Sequence, residues 1–154
     1  MTDPAAFRSV MGRFATGVTV VTATGPEGPV GMTANAVCSL SLDPLLLLVC
    51  FDRDARTLPI VRAAGRFGVN VLGEGQEALA QRFASKHEGK FDEVLHEIED
   101  GLPVLGGAIA WVACDLAELL PGGDHVIGIG AVTAASERDG APLLWYRGGY
   151  GGLA

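Results

Sequence analysis

The sequence predicts a mainly β fold with short helices, its strands antiparallel and its sheet closed, or partly closed, into a barrel. Three observations carry this expectation. β-Branched and aliphatic runs recur along the 154 residues, mostly separated by glycine- and proline-rich turns. Strands joined by such turns pair antiparallel. The regular strand–helix alternation of a parallel doubly wound sheet is absent, and closure protects the edges an antiparallel sheet would otherwise expose.

Each element has its own justification. Residues 3–14 form a helix: Asp3 caps it, Pro4 suits its first position, and Phe7, Val10, Met11 and Phe14 make one apolar stripe. Gly17 ends it. VTVVTAT (18–24) is a strand, GPEGP a turn and VGMTA the returning strand of a hairpin. Beyond the small-residue stretch 31–44, LLLLVCF (45–51) reads as a strand buried on both faces. Thr57 with Pro59 starts a helix that runs to Ala64, with Gly65 as its stop. RFGVNVL (66–72) is a strand. Residues 76–85 are helical, with Leu79 and Phe83 on one face, and 86–100 form a polar surface excursion. Two β-leaning runs, 108–120 and 126–136, flank PGGDH and make a long hairpin. LLWY (143–146) is a last short strand before RGGYGG.

The length suits one domain over residues 1–154, and 49% hydrophobic against 19% charged residues describes a globular chain with apolar surface to spare for a subunit interface. A formal net charge of −7 argues against nucleic acid or an anionic membrane as partner. No segment is long and apolar enough to span a bilayer, and MTDPAAFRSVMGRF lacks the features of a signal peptide. A cytoplasmic protein is therefore expected, with Cys38, Cys50 and Cys114 as three buried thiols. Three histidines and three cysteines so scattered give no metal-ligand spacing, so no metal site is expected.

Three stretches carry candidate chemistry. In GMTANAVCSLSLDP (31–44) small residues let backbone approach a flat ligand, with Thr33, Asn35, Ser39 and Ser41 adding short polar groups. The same stretch also reads as a surface loop. In DRDART, Arg53 and Arg56 precede a helix opened by Thr57, whose free N–H groups attract anions, which suits a phosphate. The alternative is a solvated turn in which Asp52 and Asp54 neutralise both arginines. Ser85 and Lys86 offer a second phosphate contact. In PGGDH, two glycines present Asp124 beside His125, so that the carboxylate fixes the imidazole tautomer. His87 and His96 are expected to face water. RGGYG (147–151) reads equally as a closing flap or a frayed tail.

Taken in order, FATGVTVVTA, VGMTANAVCSLSLDPLLLLVCFDR, FGVNVL, RFASK, GDH and LLWYRGGYG resemble the flavin reductase family, the small reductase components of two-component flavin monooxygenases. The likeness runs from about Phe7 to Gly152. It implies an FMN-binding split β-barrel, a six-stranded antiparallel Greek key, and a homodimer with flavin near the dimer interface. It implies that Thr33, Ala34, Asn35 and Ala36 line the flavin ring. Cys50, Phe51, Asp52 and Arg53, with Arg56 and Thr57, would face the ribityl chain and phosphate. Arg82, Phe83 and Lys86 would lie near the cofactor, His125 where nicotinamide approaches, and Tyr146, Arg147 and Tyr150 at C-terminal nicotinamide or flavin contacts.

The implied activity is hydride transfer from NADH or NADPH to FMN or FAD, in which the cofactors carry the chemistry and the protein supplies position and electrostatics. Reduced flavin would then serve a separate oxygenase. The resemblance chooses neither flavin nor nicotinamide. Two other readings share the barrel: a non-catalytic flavin carrier or store, and an oxidase with tightly held FMN of the pyridoxamine-phosphate-oxidase type.

Overall fold

The structure, a computed structural model, describes residues 2–154. Helix α1 spans Pro4–Met11, with the Asp3 carboxylate accepting from Ala6 N at 2.8 Å as an N-cap. It ends earlier than the apolar stripe suggests. Gly12 is its C-cap, and Arg13 N and Phe14 N bond three residues back, to Val10 and Met11 carbonyls, so the chain leaves in tight turns and Phe14 lies beyond the helix. No residue of α1 is buried: the stripe faces outward.

After the short β1 (Thr16–Gly17), strands β2 (Thr19–Gly25) and β3 (Gly28–Ala34) form the expected hairpin. Then the structure departs from the loop reading of 31–44. Val37–Leu42 is a strand, β4, paired antiparallel with β5 (Leu45–Asp52) and bulged between Ser39 and Ser41. Helix α2 (Thr57–Ala64) closes on Gly65 at φ 70°, and β6 (Arg66–Val71) and α3 (Glu77–Ala84) follow. The excursion after α3 carries a small hairpin of its own, β7 (His96–Glu99) with β8 (Leu102–Leu105). The long hairpin is β9 (Ala110–Gly122) and β10 (His125–Glu137). The tail is not frayed: β11 (Leu144–Tyr146) pairs with β12 (Gly149–Gly151), and β1 pairs with β11.

The principal sheet has seven strands in the order β3-β2-β6-β9-β10-β5-β4, where the family likeness implies six. All its pairings are antiparallel. Its two edge strands, β3 and β4, are consecutive in the chain, joined only by Asn35 and Ala36. Three Cα steps span at most about 11 Å. The sheet therefore curls until its edges nearly meet, and the Asn35–Ala36 link bridges the split.

Val21, Val49, Phe51, Phe67, Val69 and Cys114 fill the barrel beneath Leu58 and Val61 of α2. A second cluster joins Val18, Val20 and Leu72 to Ala80 and Phe83 of α3. Asn70, fully buried, donates to Val20 O and accepts from Leu105 N at 2.9 Å, tying the excursion to the barrel. Strand β5 is less buried than its apolar sequence suggests. Val49 and Phe51 are buried, but Leu46, Leu47 and Leu48 are half-exposed and Leu45 is exposed, because β5 lies one strand from the sheet edge. The glycines of β10 allow close packing: a Cβ at Gly130 would lie 2.6 Å from both Cys114 Cβ and the Phe67 ring. Gly130→Val is expected to cost about 1–3 kcal/mol through overpacking, read as a lower urea midpoint at unchanged slope.

Candidate functional site

A groove of about 870 Å³ opens between α1, the β3–β4 link, the β4–β5 ladder and the β11–β12 hairpin. Its floor follows from strand register. Cys38 lies opposite Leu48, and Cys50 N donates to Ala36 O at 2.9 Å, so Ala36, Cys38, Leu48 and Cys50 share one sheet face. All four line the groove. The small side chains of Ala36 and Cys50 leave this ledge uncrowded. Trp145, packed edge-on against Tyr150 at 4.9 Å, provides an aromatic wall. The Arg8 and Arg147 guanidiniums border it and make no ion pair among the described residues. Arg147 adopts φ 52° in a two-residue turn with Gly148 at φ 76°, and its N–H donates to Gly12 O at 2.9 Å, fixing the hairpin to the end of α1.

His125 stands on the same face. It pairs with Asp52, and Ile127 with Cys50, so one two-residue step of about 7 Å separates the rungs of His125 and Cys50. Asp124 Oδ1 lies 2.7 Å from His125 Nδ1 and orients the ring. The hydrogen bond from His125, and then the ring's charge, hold the Asp124 carboxyl below its ordinary range. A depressed carboxyl keeps its pairing above the ordinary range and loses it as pH falls through the lowered value. His125→Ala is accordingly expected to raise the Asp124 midpoint in a carboxyl-carbon NMR titration.

The turn 52–56 is organised differently from a charge-neutralised one. Arg53 donates to Gly123 O from its side chain and to Asp124 O from its backbone, joining this turn to the Asp124–His125 turn. Asp52 Oδ1 accepts from Asp54 N, and Arg56 lies 3.7 Å from Glu88, so neither aspartate neutralises an arginine. Lys90 lies nearby: burial, and then the charge of Arg56, push its ammonium pKa down. Thr57 begins α2 and is buried, and the N-cap, Arg56, makes no side-chain cap bond, so an anion would meet backbone N–H there.

The groove thus gathers Asn35, Ala36, Cys50 and Arg147 of the sequence-derived candidates. Thr33 donates its hydroxyl to Ala80 O, and Ala34 is buried. Ser39 is exposed, and Ser41 accepts from Asp43 N. Phe51 and Phe83 are core side chains, the latter packed on Gly31. Arg82 donates to the carbonyls of Gly89, Lys90 and Asp92 and holds the excursion in place. Ser85 is occupied by Arg82 O and His87 N, while Lys86 is exposed. Tyr146 is exposed, and burial raises the Tyr150 pKa. Cys114 alone of the three thiols is buried, and His96, half-buried against Phe91, does not simply face water. The α1 wall, including Arg8 and Ser9, was not indicated by local sequence: its amphipathic stripe signals packing, and only the fold shows what its other side borders.

Small floor residues, an aromatic wall and a carboxylate-oriented imidazole define a split barrel that positions a flat cofactor. The chain belongs to the flavin reductase family: the family model described as a flavin reductase like domain matches residues 11–154. It is 43% identical over 155 residues to a flavin reductase of Pseudomonas putida, covering 99% of this chain and 91% of that protein. It is 41% identical over 155 residues to HsaB of Mycobacterium tuberculosis, a reductase subunit of a flavin-dependent monooxygenase, covering 98% of this chain and 83% of that protein. The NADH:FAD oxidoreductase SgcE6 of Streptomyces globisporus, in complex with NAD and FAD fragments, superposes with a TM-score of 0.94 at 38% identity, covering 100% of this chain and 96% of that one.

Proposed function

We propose that the protein is an NAD(P)H-dependent flavin reductase that supplies reduced FMN or FAD to a separate oxygenase. The observation that carries this is the roomy ledge floored by Ala36 and Cys50, with His125 on the same sheet face. The groove's volume falls within the range of small-molecule sites. When bound, flavin supplies a ring that accepts hydride from nicotinamide. Asn35 and Ala36 hold the ring edge through the backbone; Arg53, Arg56, Lys86 and the start of α2 hold the anionic tail. His125, held by Asp124, orients the nicotinamide, and Trp145, Arg147 and the hairpin they stand on limit water access. The relatives named above, a monooxygenase reductase subunit among them, support the oxygenase partner.

The chain acts as one domain over residues 1–154 and as a homodimer. Phe7 and Phe14 are 61% and 70% exposed and Leu42 82%, an apolar surface that a second copy would cover. Sedimentation equilibrium is expected to give twice the 15.9 kDa chain mass. Three free cysteines fit a reducing cytoplasm; no helix among the described residues is long and apolar enough to cross a membrane. The test of function is direct. Protein purified without added flavin should oxidise NADH or NADPH only when FMN, FAD or riboflavin is supplied. Absence of flavin-dependent oxidation of either nicotinamide overturns the proposal.

A further inference from the structure

Two cysteines line the groove floor, and the reaction above gives their sulfurs no chemical step. Cys38 is exposed on β4 and Cys50 half-buried on β5. Register makes them diagonal neighbours on one face: Cys38 faces Leu48, and Cys50 bonds Ala36. The Cys50 thiol pKa is raised by burial and then by the charge of Cys38, consistent with this proximity. Exposure of one cysteine with a second poised next to it is one feature of a redox-sensing pair. The third thiol, Cys114, is buried in the barrel core, where burial pushes its pKa up to about 11.

We propose that Cys38 and Cys50 are a peroxide-sensitive modification site, whose cross-link closes the groove floor to flavin. The oxidant is hydrogen peroxide, formed when dioxygen takes two electrons from reduced flavin that no oxygenase has captured. The Cys38 thiolate sulfur attacks one peroxide oxygen; the O–O bond breaks, the sulfur becomes a sulfenic acid, and the departing hydroxide leaves as water. The Cys50 thiol, which burial holds protonated above its ordinary range, gives up its proton to the departing oxygen as its sulfur attacks the Cys38 sulfur, so the cross-link forms faster as pH rises. The S–S bond forms, the S–O bond breaks and a second water departs. One peroxide is reduced and two thiols are oxidised.

Diagonal strand neighbours stand roughly 7–8 Å apart, just beyond the Cα separation a disulfide tolerates. The cross-link therefore has to draw the strands together. Within the chain, β4 is a sheet edge, pairs only with β5 and is already bulged at Ser39/Ser41, so no second strand of the chain holds it; its far end at Leu42 lies in the surface assigned above to a second copy, and the movement is confined to the Cys38 end. Moving β4 also moves the Asn35–Ala36 link. The chemistry of the thiols stands on this register alone, while its consequence for turnover rests on the flavin reading of the groove.

The experiment treats the full chain with a few equivalents of hydrogen peroxide, followed by mass spectrometry, peptide mapping and turnover. Thiols titrated after denaturation should fall from three to one, with Cys38 joined to Cys50 within one chain. Flavin-dependent NADH oxidation should fall about 10- to 100-fold, as a displacement of roughly 1 Å in a positioning surface does, and return with dithiothreitol. Cys50→Ser should form no internal cross-link. Unreacted thiols, a cross-link between two chains, over-oxidation of Cys38 without cross-linking, or a cross-linked protein with undiminished turnover each overturn the inference. If the untreated protein lacks flavin-dependent turnover, the reductase reading fails instead, and the peptide map still decides the cross-link.

Discussion

Ala36→Phe is expected to lower flavin affinity by roughly two orders of magnitude, or about 2.8 kcal/mol. Ala36 is exposed on the groove floor, so the larger side chain displaces no core residue and instead fills the ledge. Its backbone is fixed by the bond from Cys50 N, which prevents the ledge from receding. The thermal midpoint of the flavin-free variant should stay close to wild type, since surface changes usually cost within about 0.5 kcal/mol. Fluorescence titration with FMN and FAD checks the effect. Unchanged dissociation constants would place the flavin elsewhere.

His125→Ala is expected to lower kcat/KM for NADH about 100-fold while flavin affinity changes by no more than about threefold, because misplacement of one reactant by roughly an ångström can have such an effect. The prediction follows from separate supports. The ledge is held by the β3–β4 link and β5, whereas His125 is held by Asp124 and by its rung opposite Asp52. Stopped-flow reduction at saturating flavin separates binding from hydride transfer. Wild-type kinetics in the variant would remove His125 from the nicotinamide site.

Much of this architecture is legible in the sequence because hairpins announce their turns. GPEGP and PGGDH contain the glycines that close β2–β3 and β9–β10. Strand β4 is less obvious. The alternation SLSL at 39–42 is a strand signal, but Leu40 and Leu42 are exposed, so the usual equation of apolar with core fails at this sheet edge. The anchoring residues divide likewise. Matching positions identified Asn35, Ala36 and Cys50, which reach the groove, but could not tell that Phe51 and Phe83 support it from the core. Arg82 belongs to the excursion's own carbonyl network, a role decided by residues up to ten positions further along the chain. Nothing local to PAAFRSVM indicates that the helix borders the groove, since that relation exists only once β11 and β12 have folded against Gly12.

Helix α1 places one wall of the groove on an unusually weak footing. It is eight residues long and buries none of them, yet Ala5, Arg8 and Ser9 border the site. Isolated helices of this length are largely unwound in water. In the proposed homodimer a second copy would cover the exposed Phe7 of this helix, so specific activity should decline when the protein is diluted far enough for the copies to part, and recover on reconcentration, making catalytic competence a property of the population's density as well as of the chain.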